Sequence, residues 1–370
     1  MLIAPLDWGL GHATRCIPII KELYRQGLRV FIAVSGSQKT LLKQEFPEAE
    51  FLEIPGYQIG YKKGFLLKWM LLLKTPQLLG QIRKENKWLD DILGRFPIDA
   101  VISDNRFGLY NDKLYTVFVT HQLAVQSGLS GPAARHGLRS ALAKLADRQL
   151  LNWNYRFINK FSCCWVPDFE SDISVAGKLS HPLRLPAAPL QYTGIISRFE
   201  FRERPIQKKF LLVLLSGPEP QRTLFEKLLL KQFEYSDLDV LLVRGLPGDP
   251  ELQPTRRKGT RIVNHLPATE LNEAILTAEY IVARSGYSTI MDLVKLRRNA
   301  ILVPTPGQTE QEYLGWWLDK KKWMYTAPQK KFNLEKALNT FSSRSFDIPE
   351  IKRDGLKEAI ESLVSQVKRN

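Results

Sequence analysis

Directly after the opening apolar run MLIAPL, the stretch Asp7-Trp8-Gly9-Leu10-Gly11-His12-Ala13-Thr14-Arg15 sets an imidazole inside a glycine-bearing turn. Glycines such as Gly9 and Gly11 let backbone approach a ligand closely. A helix starting there offers its first N–H groups to an anion. His12, at that helix start, could take a proton from a substrate hydroxyl. A dinucleotide-binding fingerprint would want a third glycine where Thr14 stands, which argues against a nicotinamide cofactor. Two further ionisable residues follow apolar runs. Asp104 lies in Ser103-Asp104-Asn105-Arg106 after AVI, and His121 lies in Thr120-His121-Gln122 after YTVFV. Such residues at the ligand edge of a buried strand are site candidates, so Asp104 and His121 are expected to meet His12. His12 and Asp104 are the two candidates for a general base.

The second half carries two more loops of this kind. Ser216-Gly217-Pro218-Glu219-Pro220-Gln221-Arg222 follows an apolar run and enters a helix, a setting suited to phosphate. No GKS or GKT follows, so it is not a P-loop. The run Ala283-Arg284-Ser285-Gly286-Tyr287-Ser288-Thr289-Ile290-Met291-Asp292 is the most specific. A strand ends in Arg-Ser-Gly, and the glycine opens a helix whose N–H groups can hold a diphosphate. Asp292, about two turns on, offers a carboxylate to ribose hydroxyls. After the strand ILVPTP comes Gly307-Gln308-Thr309-Glu310-Gln311-Glu312, whose amides and carboxylate can hydrogen-bond a sugar.

The elements that must position these groups alternate short apolar runs with helical patterns, the signature of an α/β fold with parallel sheets. Strands are predicted at 1–6, 28–34, 51–54, 100–103, 115–120 and 163–166. A second series is predicted at 210–215, 240–243, 261–263, 280–283 and 300–303. Helices are predicted over 12–26 and 64–94, interrupted near Pro76. The expected division is a Rossmann-like domain over 1–195, a linker over 196–208 (ISRFEFRERPIQK), a second Rossmann-like domain over 209–350, and a closing helical segment over 351–370 that packs back on the first domain.

Composition excludes several classes. The 370 residues are 44% apolar and 25% charged, which fits a globular chain rather than a disordered or collagen-like one. No run approaches the ~20 apolar residues of a membrane span, and no signal peptide is read at the start. The three cysteines have no metal spacing, which suits a cytoplasmic setting. Asp237 and Asp239 precede their strand and read as a turn, so no metal site and no cofactor are expected. The net charge of +15 points to an anionic partner. It is spread over both halves with no aromatic-plus-basic motif, which disfavours nucleic acid. The segment 61–74 mixes lysines with Trp69 and leucines, and is expected to touch an anionic membrane or line a channel for a lipid acceptor.

The run from Arg284 to Asp292, with the Pro-rich turn and the Gln- and Glu-bearing helix start after it, resembles the nucleotide-sugar region of GT-B glycosyltransferases. It is most similar to family 28, which includes the peptidoglycan lipid-linked N-acetylglucosaminyltransferase and monogalactosyldiacylglycerol synthase. The Gly-x-Gly-His turn resembles that family's N-terminal glycine-rich loop. The resemblance implies two Rossmann-like domains facing across a cleft, with the N-terminal one binding acceptor around Asp7, Gly9 and Gly11. It implies that Ser285 and Gly286 hold the diphosphate, Asp292 the ribose, and Gln311 with Glu312 the donor sugar. Ser216, Gly217, Arg222, Arg244, Arg284, Ser288, Thr289 and Gln308 complete the expected donor site, while His12, Asp104 and His121 are the expected catalytic group. The turn has fewer glycines than is usual in the family, and Asp292 stands where many relatives carry Glu. The expected activity is inverting, metal-independent transfer of a hexose or N-acetylhexosamine from a UDP-sugar to a hydroxyl, with a lipid-linked acceptor in view. The alternatives are a UDP-sugar 2-epimerase and, much less favoured, a nucleic-acid-binding protein.

Overall fold

The computed structural model describes residues 1–56, 76–125, 138–171, 173–248, 257–351 and 355–369. The expected lipid-facing segment 61–74 lies outside them. The chain forms two compact units, Met1–Ile196 with Arg353–Asn370, and Ser197–Lys352.

In the first unit, β1 (Leu2–Pro5) is the third strand of a seven-stranded sheet. The order is β3 (Glu50–Leu52), β2 (Phe31–Ala33), β1, β4 (Ala100–Asp104), β5 (Tyr115–Val119), β6 (Cys163–Val166) and β7 (Leu190–Tyr192). All pairs are parallel. Leu2, Ile3, Ala4, Val101 and Ile102 are wholly buried, as strands covered on both faces must be. The helices α1 (Leu10–Arg25), α2 (Gly36–Glu45), α3 (Pro76–Leu93) and α4 (Leu138–Ile158) belong to this unit. The strand order reverses direction between β1 and β4, and ligands bind at such a switch in open α/β sheets. The register sets Pro5 beside Asp104 there, and the Leu6 N–H donates to the Asp104 carbonyl at 2.9 Å.

The second unit repeats the plan with six parallel strands. The order is β10 (Thr260–Val263), β9 (Asp239–Val243), β8 (Gln207–Leu214), β11 (Ala278–Ala283), β12 (Ile301–Leu302) and β13 (Tyr325–Thr326). Its helices are α5 (Gln221–Phe233), α6 (Ala268–Thr277), α7 (Tyr287–Lys295), α8 (Thr309–Lys320) and α9 (Leu334–Ser342). Here the switch falls between β8 and β11, so the loops after both strands open at one edge. β8 takes in Gln207 and Lys208, which read as linker in the sequence.

α10 (Gly355–Val367) returns to the first unit and packs on α1 and β5. Gly355 sits so close to Thr193 that a Cβ there would lie 2.9 Å from its main-chain carbon. All three cysteines are buried thiols. Burial pushes Cys16 and Cys164 well above the ordinary thiol range and Cys163 up to about 11. Among the described residues, no helix is long and apolar enough to cross a membrane, and no three His, Cys, Asp or Glu side chains gather as a metal-holding group.

Candidate active site

The first unit's switch point is built around one buried carboxylate. Gly9 takes φ 86° to turn the chain into α1, and no atom lies within 4 Å of where its Cβ would be. From α2, the Gln38 amide donates to the carbonyls of Leu6 and Gly9 at 2.6 and 2.7 Å, pinning the turn. Behind it, wholly buried Arg106 donates to the Pro5 carbonyl and to Glu85, at 2.8 and 2.6 Å, and lies 3.8 Å from Asp7. His12 in the first turn of α1 places Nδ1 3.1 Å from Asp104 Oδ1. Arg15, one turn later on the same helix face, donates Nε to Oδ2 at 3.0 Å and Nη2 to Oδ1. The Cys16 thiol points at the same Oδ2. His121, just past β5, lies 3.3 Å from Arg15 Nη1 through its Nδ1.

Burial alone would raise Asp104, but the Arg15 charge, His12 and their hydrogen bonds outweigh it and hold the carboxyl down to about 2. Asp104 is therefore an ionised, acceptor-only group at any working pH. It is wholly buried with both oxygens engaged, which leaves it as a partner rather than a base. His12 keeps 19% of its side chain exposed, and among the described residues no hydrogen bond occupies its Nε2. The structure thus joins His12, Asp104 and His121, and adds Arg15, Gln38, Arg106 and Glu85. An arginine on an amphipathic helix normally reads as solvated; the only hint for Arg15 was its i+3 spacing from His12.

In the second unit the three loops expected to hold the donor are knitted to one another. Arg284 is wholly buried and donates Nη1 to the Val303 carbonyl at 3.0 Å and Nη2 to the Gln221 carbonyl at 2.9 Å. Its guanidinium lies 4.3 Å from the centre of the Phe225 ring. Burial lowers it to about 10. Ser285 donates its hydroxyl to the Gln311 carbonyl at 2.8 Å, and Gln311 Oε1 accepts from the Thr305 N–H at 2.9 Å. Glu312 caps the turn before α8 by accepting from Gly307 N at 3.0 Å. Gln308 is the residue that precedes α8. These contacts differ from the expected ones: Arg284, Ser285 and the Gln311 oxygen hold the loops rather than stand open toward a ligand. Arg222 and Arg244 likewise converge on buried Glu226, at 2.7 and 2.8 Å, beneath the Ser216–Gly217 turn.

What stays open is the backbone itself. Gly286 precedes α7 with no atom within 4 Å of a Cβ, and Ser288 and Thr289 are half-buried in that helix's first turn. Gly217 takes φ 96°, and its missing Cβ would sit 3.6 Å from the Thr305 hydroxyl, which is buried without a partner. Asp292 is turned toward the start of the unit, where it accepts the Ser197 hydroxyl at 2.5 Å. Burial pushes its carboxyl up to about 6, against the pull of Arg198 and Ser197.

Residues 217–347 match the model of the glycosyltransferase family 28 C-terminal domain. Over 315 residues the chain is 24% identical to an uncharacterized glycosyltransferase of Methanosarcina acetivorans, covering 82% of this chain and 79% of that one. The chain is a glycosyltransferase of the GT-B fold, and its residues 217–347 are similar to the C-terminal domain of family 28. The solved glycotransferase of kitacinnamycin shares that fold with this glycosyltransferase at a TM-score of 0.62 and 13% identity, over 100% of this chain and 94% of the other. So does Arabidopsis thaliana UGT89C1 complexed with UDP-L-rhamnose, at a TM-score of 0.57 and 13% identity, over 99% and 94% of the two chains. The family match begins at Gly217 and so takes in the turn before α5, the Arg284–Asp292 run and the start of α8. In this glycosyltransferase all three segments lie at the carboxyl edge of the second sheet.

Proposed function

We propose that this glycosyltransferase moves a hexose or N-acetylhexosamine from a UDP-sugar to an acceptor hydroxyl, with inversion and without a metal. The observation that carries the reading is His12, held through Nδ1 on ionised Asp104 with Nε2 left for a substrate. In the proposed reaction the hydroxyl gives its proton to His12 Nε2 as its oxygen attacks the anomeric carbon. Asp104 stabilises the imidazolium that forms, and positioned bases of this kind contribute ~10²–10⁴-fold. Asp104, the carboxylate beside His12, has both oxygens spent, so no nucleophile for a second displacement stands there; single displacement inverts the carbon. The leaving diphosphate is proposed to rest on the N-termini of α7 at Gly286 and of α5 after Gly217, where the helix dipole favours negative charge. Ser288 and Thr289 would add hydroxyl donors, and Asp292 would exchange Ser197 for a ribose hydroxyl. The UDP-L-rhamnose of the plant enzyme supports a uridine donor for a chain of this fold. A net charge of +15 suits that anion and a phosphate-bearing, lipid-linked acceptor.

A thermal-shift panel of nucleotides and nucleotide sugars, run without metal, tests the donor half. Binding to the native state stabilises by ~2.7 kcal/mol at a hundredfold excess over Kd. A rise in Tm with UDP or a UDP-sugar that is lost in Asp292→Ala is expected. No rise with any nucleotide would overturn the proposal.

A further inference from the structure

Thr305 commits its main chain to the turn that precedes α8. Its N–H donates to Gln311 Oε1 at 2.9 Å, and its carbonyl accepts from the Gln308 N–H at 3.0 Å. Its side chain is different. The residue is 2% exposed, and among the described residues Oγ1 has no hydrogen-bond partner. A hydroxyl shut away from water without a partner is unfavourable, and a ligand atom that accepts from it would relieve the cost.

The space beside this hydroxyl is set by Gly217. At φ 96° that glycine holds a conformation that side chains rarely adopt, and its missing Cβ leaves a notch 3.6 Å from Oγ1. Apart from Gly217 and its chain neighbours, no other atom of the described residues lies within 4 Å of that notch. The carboxylate of the same turn, Glu219, is engaged elsewhere: it accepts from Arg222 Nε at 2.7 Å and from the Thr223 N–H at 3.2 Å. Arg284, wholly buried, donates to the Val303 and Gln221 carbonyls and so adds a fixed positive charge between the two loops. An anionic oxygen in the notch would meet a hydroxyl donor, open backbone and that charge.

The proposed donor runs from a ribose at Asp292, through a phosphate at Gly286, to a sugar at Gln311 and Glu312. Thr305 is bonded to Gln311, which puts its hydroxyl at the sugar end of that line. Resting on that reading of the donor, we propose that Thr305 is a specificity residue. Its hydroxyl donates to an oxygen of the sugar-bearing phosphate seated in the Gly217 notch, and so distinguishes a nucleoside diphosphate from a monophosphate.

Isothermal titration of the full chain with UDP and with UMP, without added metal, tests this on wild type, Thr305→Val and Thr305→Ser. Thr305→Val should weaken UDP by about 10- to 100-fold, the range of a hydrogen bond to a charged group, and leave UMP within about twofold. Thr305→Ser keeps the hydroxyl and should keep the UDP affinity of wild type. Without nucleotide, Thr305→Val should melt no lower than wild type, because no hydrogen bond is lost. A purely structural role gives the reverse, a lower Tm with the preference for UDP over UMP unmoved, and that result overturns the proposal. Unchanged UDP binding in Thr305→Val, or equal weakening of UDP and UMP, also overturns it while the donor reading stands. A wild type that binds neither nucleotide sinks the donor reading and this inference together. Thr305→Ala gives the same comparison if the valine variant does not fold.

Discussion

Arg15 grips Asp104 by both carboxylate oxygens while His12 Nδ1 lies 3.1 Å from one of them. One ion thus serves a structural cation and a ring that keeps part of its surface exposed. Removing Asp104 and removing His12 therefore have different consequences. His12→Ala should cut kcat by ~10²–10⁴-fold with donor affinity and Tm nearly unchanged. Steady-state kinetics beside a melting curve would show the split; equal losses in Tm and kcat would contradict it.

Asp104→Asn should lower stability as well, by about 3 kcal/mol at neutral pH, because Arg15 would be left buried and uncompensated. The folded carboxyl at about 2 lies below its unfolded value, so its contribution is present above ~pH 4 and lost as pH falls toward 2. Urea unfolding at several pH values should show the gap between wild type and variant narrowing over that window.

Asp292 carries the opposite sign. Its folded carboxyl, pushed up to about 6, lies above its unfolded value, so its contribution is full below ~pH 4 and lost as pH rises through 6. Asp292→Asn should therefore melt higher relative to wild type at pH 8 than at pH 4. A pH-independent difference would mean that the Ser197 contact, rather than burial of charge, governs this position.

Arg284→Lys should loosen the donor half. A lysine cannot span the Val303 and Gln221 carbonyls while stacking on Phe225. A loss of about 2–3 kcal/mol is expected, from carbonyls left unpaired. Hydrogen exchange should rise in both 216–221 and 303–308; a change confined to one loop would deny that the guanidinium ties them.

Gly355→Ala tests the return of α10. Its new methyl would press on main-chain atoms of Thr193. A cost of about 1–3 kcal/mol follows from overpacking, seen in unfolding of the first unit. An unchanged melting curve would mean that α10 contributes little there.

Much of this was legible in the sequence for simple reasons. A fully buried parallel strand such as Leu2–Pro5 is a continuous apolar run, and Gly9 and Gly286 mark loops that need open backbone. The edge strands β7 and β13 were not legible, since two or three residues carry no period. His12 and Asp104 stood out by type and place. Their connection through Arg15 did not, because 89 residues separate Arg15 from Asp104 and only the β1–β4 register brings them together. The residues expected to hold the donor show the same limit: Ser285 and Gln311 lie where the pattern put them, but which atoms each spends on the other is set by packing between loops.

The buried thiols carry a practical consequence for spectroscopy. Cys16, Cys163 and Cys164 are inaccessible and held protonated, so the natural chain should be nearly blind to maleimides. Leu183 in the first unit and Tyr235 in the second are almost fully exposed. Cysteines placed at those two positions would be the only reactive ones, and a donor–acceptor dye pair there would read the distance between the units, and any change in it on adding a nucleotide sugar, without deleting a native residue from either core.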